Sequence, residues 1–386
     1  METINDFKGL LVYTNSNTDY EDITIRNISA GLPDVLDYVI LDRVSNKPYP
    51  SEVFEIAKKI YAYRPDARFW IGTAKYDQDT HPSFDFIKDS IEEIKSAFTN
   101  DSIGQTIWNN NVKGIYLNME ALYNTIDYDL SSNQNDNGCL NLSGSLSNYV
   151  HNTLDLNLLW IPYYGFKGSE DTDLTMKTIK DLAYMVARTN FFDIVIIQPR
   201  YYFGDYSGDS TLEKNLDAIK YSMNCNNICY RDGVQVFTRT HNRAKIGFEM
   251  EMDDFAYTSN GHTTNEKRIR YEKYVNAFNN YKDHPMCYYA GRLDTLKYNY
   301  PLIGLFFDTV YGDADETGTL TANDAAMIQQ YTLTGAPSGY IVSICDVDGS
   351  GYLTAADASY VLQKTLDDSY VFPIIEKIYD VNAREE

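Results

Sequence analysis

The 386-residue chain is short of positive charge: 33 lysines and arginines face 55 aspartates and glutamates, a formal net charge of −22. That deficit argues against a nucleic-acid partner, whose phosphates require clustered Lys and Arg. It also disfavours the anionic surface of a membrane. No apolar run reaches the length that spans a bilayer. The opening stretch METINDFKGLLVY lacks a basic start followed by an apolar core, so no signal peptide is expected there, and a secreted protein would carry this sequence in mature or trimmed form. Histidine is scarce, with no HExxH among the five, and no GxSxG elbow occurs, which argues against a peptidase or other hydrolase built on those motifs. Cysteine is scarce too. Five residues is an odd count, so at least one thiol stays free or pairs between chains. Disulfides remain open, but Cys225 and Cys229 have no Cys or His cluster at zinc spacing around them.

Hydrophobic content of 44% is ordinary for a globular protein, so a sizeable core is expected. The length accommodates a barrel of roughly 250 residues plus a small appendage. Tyrosine is abundant, with 34 residues and pairs at Tyr163–Tyr164, Tyr201–Tyr202 and Tyr288–Tyr289. Its ring packs and its hydroxyl bonds. Most of these are expected to be core residues, and pairs near strand ends are candidate platforms for sugar rings.

Two twelve-residue segments repeat at an offset of 33 residues: DADETGTLTAND at Asp313–Asp324 and DVDGSGYLTAAD at Asp346–Asp357. Each sets oxygen donors at positions 1, 3, 5, 9 and 12 with glycine at position 6, the pattern by which a short loop wraps a calcium ion in oxygen. In the first loop the ligands are expected to be Asp313, Asp315, Thr317, the Thr319 carbonyl, Thr321 (through water) and Asp324. In the second they are Asp346, Asp348, Ser350, the Tyr352 carbonyl, Thr354 and Asp357. An amphipathic helix is expected after each loop. None is expected before: LIGLFFDTVYG reads as extended, and SGYIVSIC is short and apolar.

A duplicated half-motif with Asp at position 12 resembles the type I-like dockerin modules of cellulosome-type proteins, over residues 311–370. The resemblance implies a small all-α module with two calcium-binding F-hand loops, a secreted, extracellular setting, and a partner in the cohesin module of a scaffoldin. It places the cohesin-recognition positions at Ala322, Asn323, Ala355 and Ala356, with Gln329, Gln330, Gln363 and Lys364 on the helices. These depart from the Ser-Thr pair of one dockerin group, which leaves the specificity class open.

Upstream, eight apolar β-rich runs begin at residues 8, 36, 67, 112, 156, 192, 245 and 286, with amphipathic stretches at 84–98, 173–189 and 263–280 between several of them. Eight strands with intervening helices predict a (β/α)8 barrel over residues 1–300, followed by the appendage over 301–386. An open doubly wound sheet competes, but no Gly-rich phosphate fingerprint follows the first strand.

Barrel chemistry gathers at the C-terminal ends of strands. The fourth run ends in Glu120, and the seventh reads GFEMEMD, so alternation sets Gly247, Glu249, Glu251 and Asp253 on one face. Acids stacked in one mouth repel unless protonated, paired or metal-bound. A carboxyl on strand four facing one on strand seven suits a retaining glycosidase, with Glu120 as acid/base and Glu249 or Glu251 as nucleophile. The alternative is a structural ion-pair network in a non-catalytic barrel that binds glycan or protein. Tyr13, Asp42, Asn118, Trp160, Tyr164, Gln198, Arg200 and Tyr202 are candidate substrate-binding residues on the same rim, with Asp253.

The strings VKGIYLNME, LLWIPYYGFKG, FFDIVIIQPRYYF and IGFEMEMDD resemble, in that order, a family of secreted bacterial barrels of unknown function related to glycoside hydrolases. Its pattern falls on Glu120, Trp160–Gly165, Gln198–Phe203, and Glu249 with Glu251. Arg200 replaces the family's usual Asn, and the Asn-Glu dipeptide of the large glycosidase clan is spread out as Asn118-Met119-Glu120.

Overall fold

The computed structural model describes residues 6–14, 25, 28, 32, 34–42, 48–76, 81–120, 138–165, 173–203, 210–253, 264–290 and 293–379. Eight parallel strands close a barrel in chain order: β1 (Lys8–Thr14), β2 (Asp37–Asp42), β3 (Arg68–Gly72), β4 (Val112–Leu117), β5 (Asn157–Trp160), β6 (Ile194–Ile197), β7 (Lys245–Glu251) and β8 (Met286–Tyr289). Lys8–Leu10 of β1 pairs with Met286–Tyr288 of β8 to complete the ring. The expected barrel is therefore the observed one. Arg43, Thr263 and Gly291, which bound three of the expected runs, lie outside the described residues.

The outer helices among the described residues are α1 (Pro50–Tyr63), α2 (Phe84–Thr99), α3 (Ser102–Asn110), α4 (Gly138–Tyr149), α5 (Asp173–Arg188), α6 (Ser210–Cys225), α7 (Thr264–Phe278) and α8 (Leu293–Phe306). Local signals start several of them. Pro50 opens α1, the Ser83 hydroxyl accepts the Phe86 N–H at α2, and Asp101 accepts the Ile103 and Gly104 N–H groups at α3. No helix among the described residues is long and apolar enough to cross a membrane.

The strands read as nearly unbroken apolar runs because both faces are covered. Leu10, Val12, Ile40, Phe248 and Met250 pack outward in the layer shared with the helices, while Leu11, Val39, Leu41, Leu159 and Ile196 fill the barrel. At the N-terminal end of the strands Phe7 meets the Trp70 ring edge-on at 5.2 Å. The Trp70 indole N–H donates to buried Asp37 at 2.8 Å, and Asp37 also pairs with Arg68 at 2.5 Å. The indole fits because β4 presents Gly114 to it: a Cβ there would lie 2.2 Å from the ring.

After the barrel come α9 (Ala322–Thr334), α10 (Gly339–Cys345), α11 (Ala355–Leu366) and α12 (Pro373–Tyr379). One expectation is corrected here. Both loops have a helix upstream: α8, which spans residue 300, before the first, and α10 directly abutting the second. In LIGLFF, Leu302, Ile303 and Phe306 are buried while Leu305 is exposed, a helical periodicity that six residues are too few to display. Tyr311 packs against α8 with its hydroxyl oxygen 2.3 Å from where a Gly304 Cβ would be, and α12 lies beside α8.

Replacing Gly114 with alanine forces the Trp70 ring or the β3–β4 pairing to shift. The expected loss is about 1–3 kcal/mol of folding stability, read by urea denaturation. A variant as stable as the parent would show that the indole has room to move.

Candidate functional site

The barrel's interior turns polar at the C-terminal ends of β6 and β7. A cavity of about 160 Å³ lies there, lined by Leu11, Tyr13, Glu120, Tyr163, Gln198, Arg200, Phe203, Glu249, Glu251 and Tyr289. Alternation along β7 sends Glu249 and Glu251 inward, with Phe248, Met250 and Met252 in the outer layer. Glu120 comes from the segment three residues past β4 rather than from the strand itself. The Tyr163 N–H donates to its carbonyl at 2.7 Å and the Tyr163 hydroxyl to its carboxylate at 2.7 Å.

The three carboxyls have different surroundings. Glu251 is buried and bonded by three donors: it accepts the Arg200 N–H at 3.1 Å, the Tyr202 N–H at 3.1 Å and the Tyr274 hydroxyl. Burial raises its pKa, and these donors and the Arg200 charge oppose the rise. Glu249 is 1% exposed, and its Oε2 has no hydrogen-bond partner among the described residues. Burial first, then the charges of Glu251 and Glu120, push its carboxyl well above the usual range, which favours its neutral form. Glu120 is half-buried and bonded to one phenol. Burial, and then Glu120, raise the Tyr163 phenol. The Arg200 guanidinium lies 4.3 Å from the Tyr163 ring centroid, and its backbone is left-handed at φ 55°.

Of the residues expected on this rim, Tyr13, Gln198 and Arg200 line the cavity with the three glutamates. The other six, Asp42, Asn118, Trp160, Tyr164, Tyr202 and Asp253, are not among its lining residues. Trp160 is fully buried, stacks on Phe192 at 4.9 Å and donates its indole N–H to the Met119 carbonyl. It points outward because β5 alternates, carrying Leu159 inward in its place. Tyr164 is buried and donates to the Cys229 carbonyl at 2.7 Å. Tyr202 is buried and donates to Asp253 at 2.6 Å, and Asp253 in turn is paired with Lys267 at 2.6 Å. Asp42 and Asn118 are buried beside Thr14 and Thr73, off the cavity wall. Sequence reasoning named Phe203 only at the end of a family-like string and Tyr289 only as one of a tyrosine pair, and it missed the anchor Tyr274, which is on α7 with no local signal.

In the C-terminal region Asp313, Asp315 and Asp324 converge, as do Asp346, Asp348 and Asp357, each set offering oxygens within 4.8 Å of one another. The Thr317 hydroxyl lies 3.4 Å from the Thr319 carbonyl, and the Ser350 hydroxyl 3.1 Å from that of Tyr352, so positions 5 and 7 turn to the same point. Thr321 and Thr354 do otherwise: each caps its helix and donates to Asp324 or Asp357 at 3.0 Å. Gly318 and Gly351 are left-handed at φ 79° and 88°, and position 4 is left-handed too, at Glu316 and Gly349. Burial, and next Asp357, raise the Asp346 carboxyl to about 7. Clustered hard oxygens under mutual repulsion fit calcium, which would be held by the two triads with Thr317, Ser350 and the two carbonyls. Bound there, the ion supplies neutralising charge and a cross-link within each loop.

Residues 311–366 match the dockerin type I domain. This part of the chain is a type I dockerin. The dockerin's first loop lies only a few residues past the barrel's last helix. None of the curated proteins matches the chain. Among solved structures, one described as a deoxyribose-phosphate aldolase from Toxoplasma gondii is 12% identical, covering 79% of this chain and 94% of its own at a TM-score of 0.39. A xylanase–α-amylase inhibitor protein in complex with trehalose is 12% identical over 78% and 97%, with a TM-score of 0.38. A GH18 chitinase from Flavobacterium johnsoniae is 11% identical over 78% and 94%, at 0.37. Likeness this distant carries no argument about chemistry.

Calcium at a hundredfold excess over its dissociation constant should stabilise the dockerin by about 2.7 kcal/mol per site. Chelation of the full chain should therefore lower the melting temperature of a transition that Asp346→Ala also lowers. Equal melting curves with calcium and with chelator would remove the assignment of the loops.

Proposed function

We propose that the chain is a dockerin-borne component of an extracellular, cohesin-scaffolded assembly that degrades polysaccharide, and that its barrel is a glycoside hydrolase. The dockerin domain supports the first part, because dockerins bind cohesins. The recognition surface includes Ala322, Asn323, Gln329, Gln330, Ala355, Ala356 and Gln363, all exposed, and half-buried Lys364. Leu333 and Leu366 join them. Both are 82% exposed, at equivalent places in the 33-residue repeat, and an apolar side chain left that open twice suits a protein partner. Leu333→Asp combined with Leu366→Asp should weaken calcium-dependent cohesin capture at least tenfold in titration calorimetry, and undiminished affinity would move the interface elsewhere.

One observation carries the enzymatic reading: Glu249, a buried carboxyl whose Oε2 has no hydrogen-bond partner among the described residues, lines the same cavity as Glu120. Glycoside cleavage needs a proton donor held neutral and a second carboxylate that is ionised with a free lone pair. Glu249 suits the donor, and Glu120 the nucleophile or base. Glu251, with its oxygens taken up by three donors, positions the Arg200–Tyr202 backbone. The roles thus run opposite to those expected from the sequence for Glu120 and Glu249. Tyr13, Tyr289 and Phe203 offer rings to a sugar, and Gln198 and Arg200 offer donors.

Glu249→Gln and Glu120→Gln should each lower turnover on a responsive glycan by at least a hundredfold while leaving the fold intact. Activity should fall as pH rises through the elevated Glu249 pKa, because the donor loses its proton. Stability should fall along the same limb, since a carboxyl whose folded pKa is raised favours the native state only while protonated. Glu249→Gln should abolish that stability limb, and an unaltered limb would place the ionisation on another group. One feature favours a binding barrel instead: Arg200 stands among the carboxylates and over Tyr163. Glycan binding without turnover by the parent protein, retained in both glutamine variants, would decide for that reading.

A further inference from the structure

Cys225 ends α6, and four residues later Cys229 brings its sulfur to 3.4 Å from that of Cys225. The turn between them is held from several sides. Asn226 is left-handed at φ 48° and its side-chain carbonyl accepts the Ile246 N–H of β7 at 3.2 Å. The Cys229 N–H donates to the Ser222 hydroxyl at 3.0 Å, and the Asn227 N–H to the Ser222 carbonyl at 3.0 Å. Neither sulfur has another strong partner: their remaining contacts are to backbone carbonyls at 3.5 Å or more. Cys225 is exposed and Cys229 buried, and the other three cysteines are buried elsewhere, in α4, β8 and α10.

We infer that Cys225 and Cys229 are a disulfide-forming pair, closed by a small-molecule disulfide oxidant of the kind present outside the cell. Closing the bond brings the sulfurs to about 2.05 Å, a movement of side-chain torsions at the end of a helix. The chemistry balances as exchange. The Cys225 thiolate attacks one sulfur of the oxidant, whose S–S bond breaks and releases one small thiolate. Cys229 then loses its proton, attacks the Cys225 sulfur and expels the second. Two protein thiols are oxidised and one small disulfide is reduced to two thiols. The order follows from access: Cys225 is open to solvent, whereas burial and next the Cys225 contact raise the Cys229 thiol to about 12.

The cross-link braces the support beneath the cavity. The Cys229 carbonyl takes the Tyr164 hydroxyl beyond β5. Two residues on, Arg231 donates to Asn215 at 2.8 Å, and Asn215 donates to the Pro199 carbonyl at 2.9 Å, the residue before Arg200. An odd number of cysteines follows naturally, with one intrachain bond and three buried thiols.

The test uses the full chain equilibrated with oxidised and reduced glutathione, then denatured and alkylated. Both cysteines fall in one tryptic peptide, Tyr221–Arg231. Two of the five thiols should resist alkylation, with that peptide lighter by two hydrogens. The exposed-site variant Cys225→Ser should restore full alkylation of the remaining four. Alkylation of all five thiols, a persistent glutathione adduct on Cys225, or thiol loss that survives Cys225→Ser would each overturn the pairing.

Discussion

The mouth of the barrel is organised around one buried carboxylate. Glu251 gathers the Arg200 and Tyr202 amides and the Tyr274 hydroxyl. A buried carboxylate is costly unless it is well bonded, so the chain leaving β6 has to bend back over β7 to supply those amides. That bend holds Arg200 in the left-handed region, an arrangement that costs about 1–2 kcal/mol for a residue with a Cβ. It also directs the Arg200 side chain over Tyr163, and Tyr163 in turn bonds Glu120. One anchoring point thereby fixes groups contributed after β4, β5 and β6.

The neighbouring Glu249 has the opposite character because it is one pleat deeper. Its strand position is opposite Cys287 of β8, below the reach of the β6 exit loop that serves Glu251. Among the described residues no hydrogen bond reaches its Oε2, so burial weighs unopposed against the charged form there. Two carboxyls two residues apart on one strand thus differ in the donors that oppose the burial raising both of them.

Much of this was legible in the sequence. The repeat at 33 residues located both oxygen-rich loops because calcium geometry constrains residue type at fixed spacing. The alternation GFEMEMD sorted the inward acids from the outward methionines, as the structure places them. What was hidden depends on long-range placement. Trp160 and Tyr164 could be assigned to a strand end but not to a side of it, since β5 is only four residues long. Asp253 shares the parity of Glu251, but β7 ends at Glu251, and past that point parity no longer predicts direction. Lys267, on α7, then takes the carboxylate. The helix through LIGLFF was masked by its own apolar density.

The short passage from Phe306 to Asp313, with Tyr311 packed on α8, has a mechanical corollary. A flexible linker would let an appended module sweep a wide volume. Here the adaptor is seated directly on the barrel's closing helix. If the module docks as proposed, the barrel would have little freedom to swing relative to it.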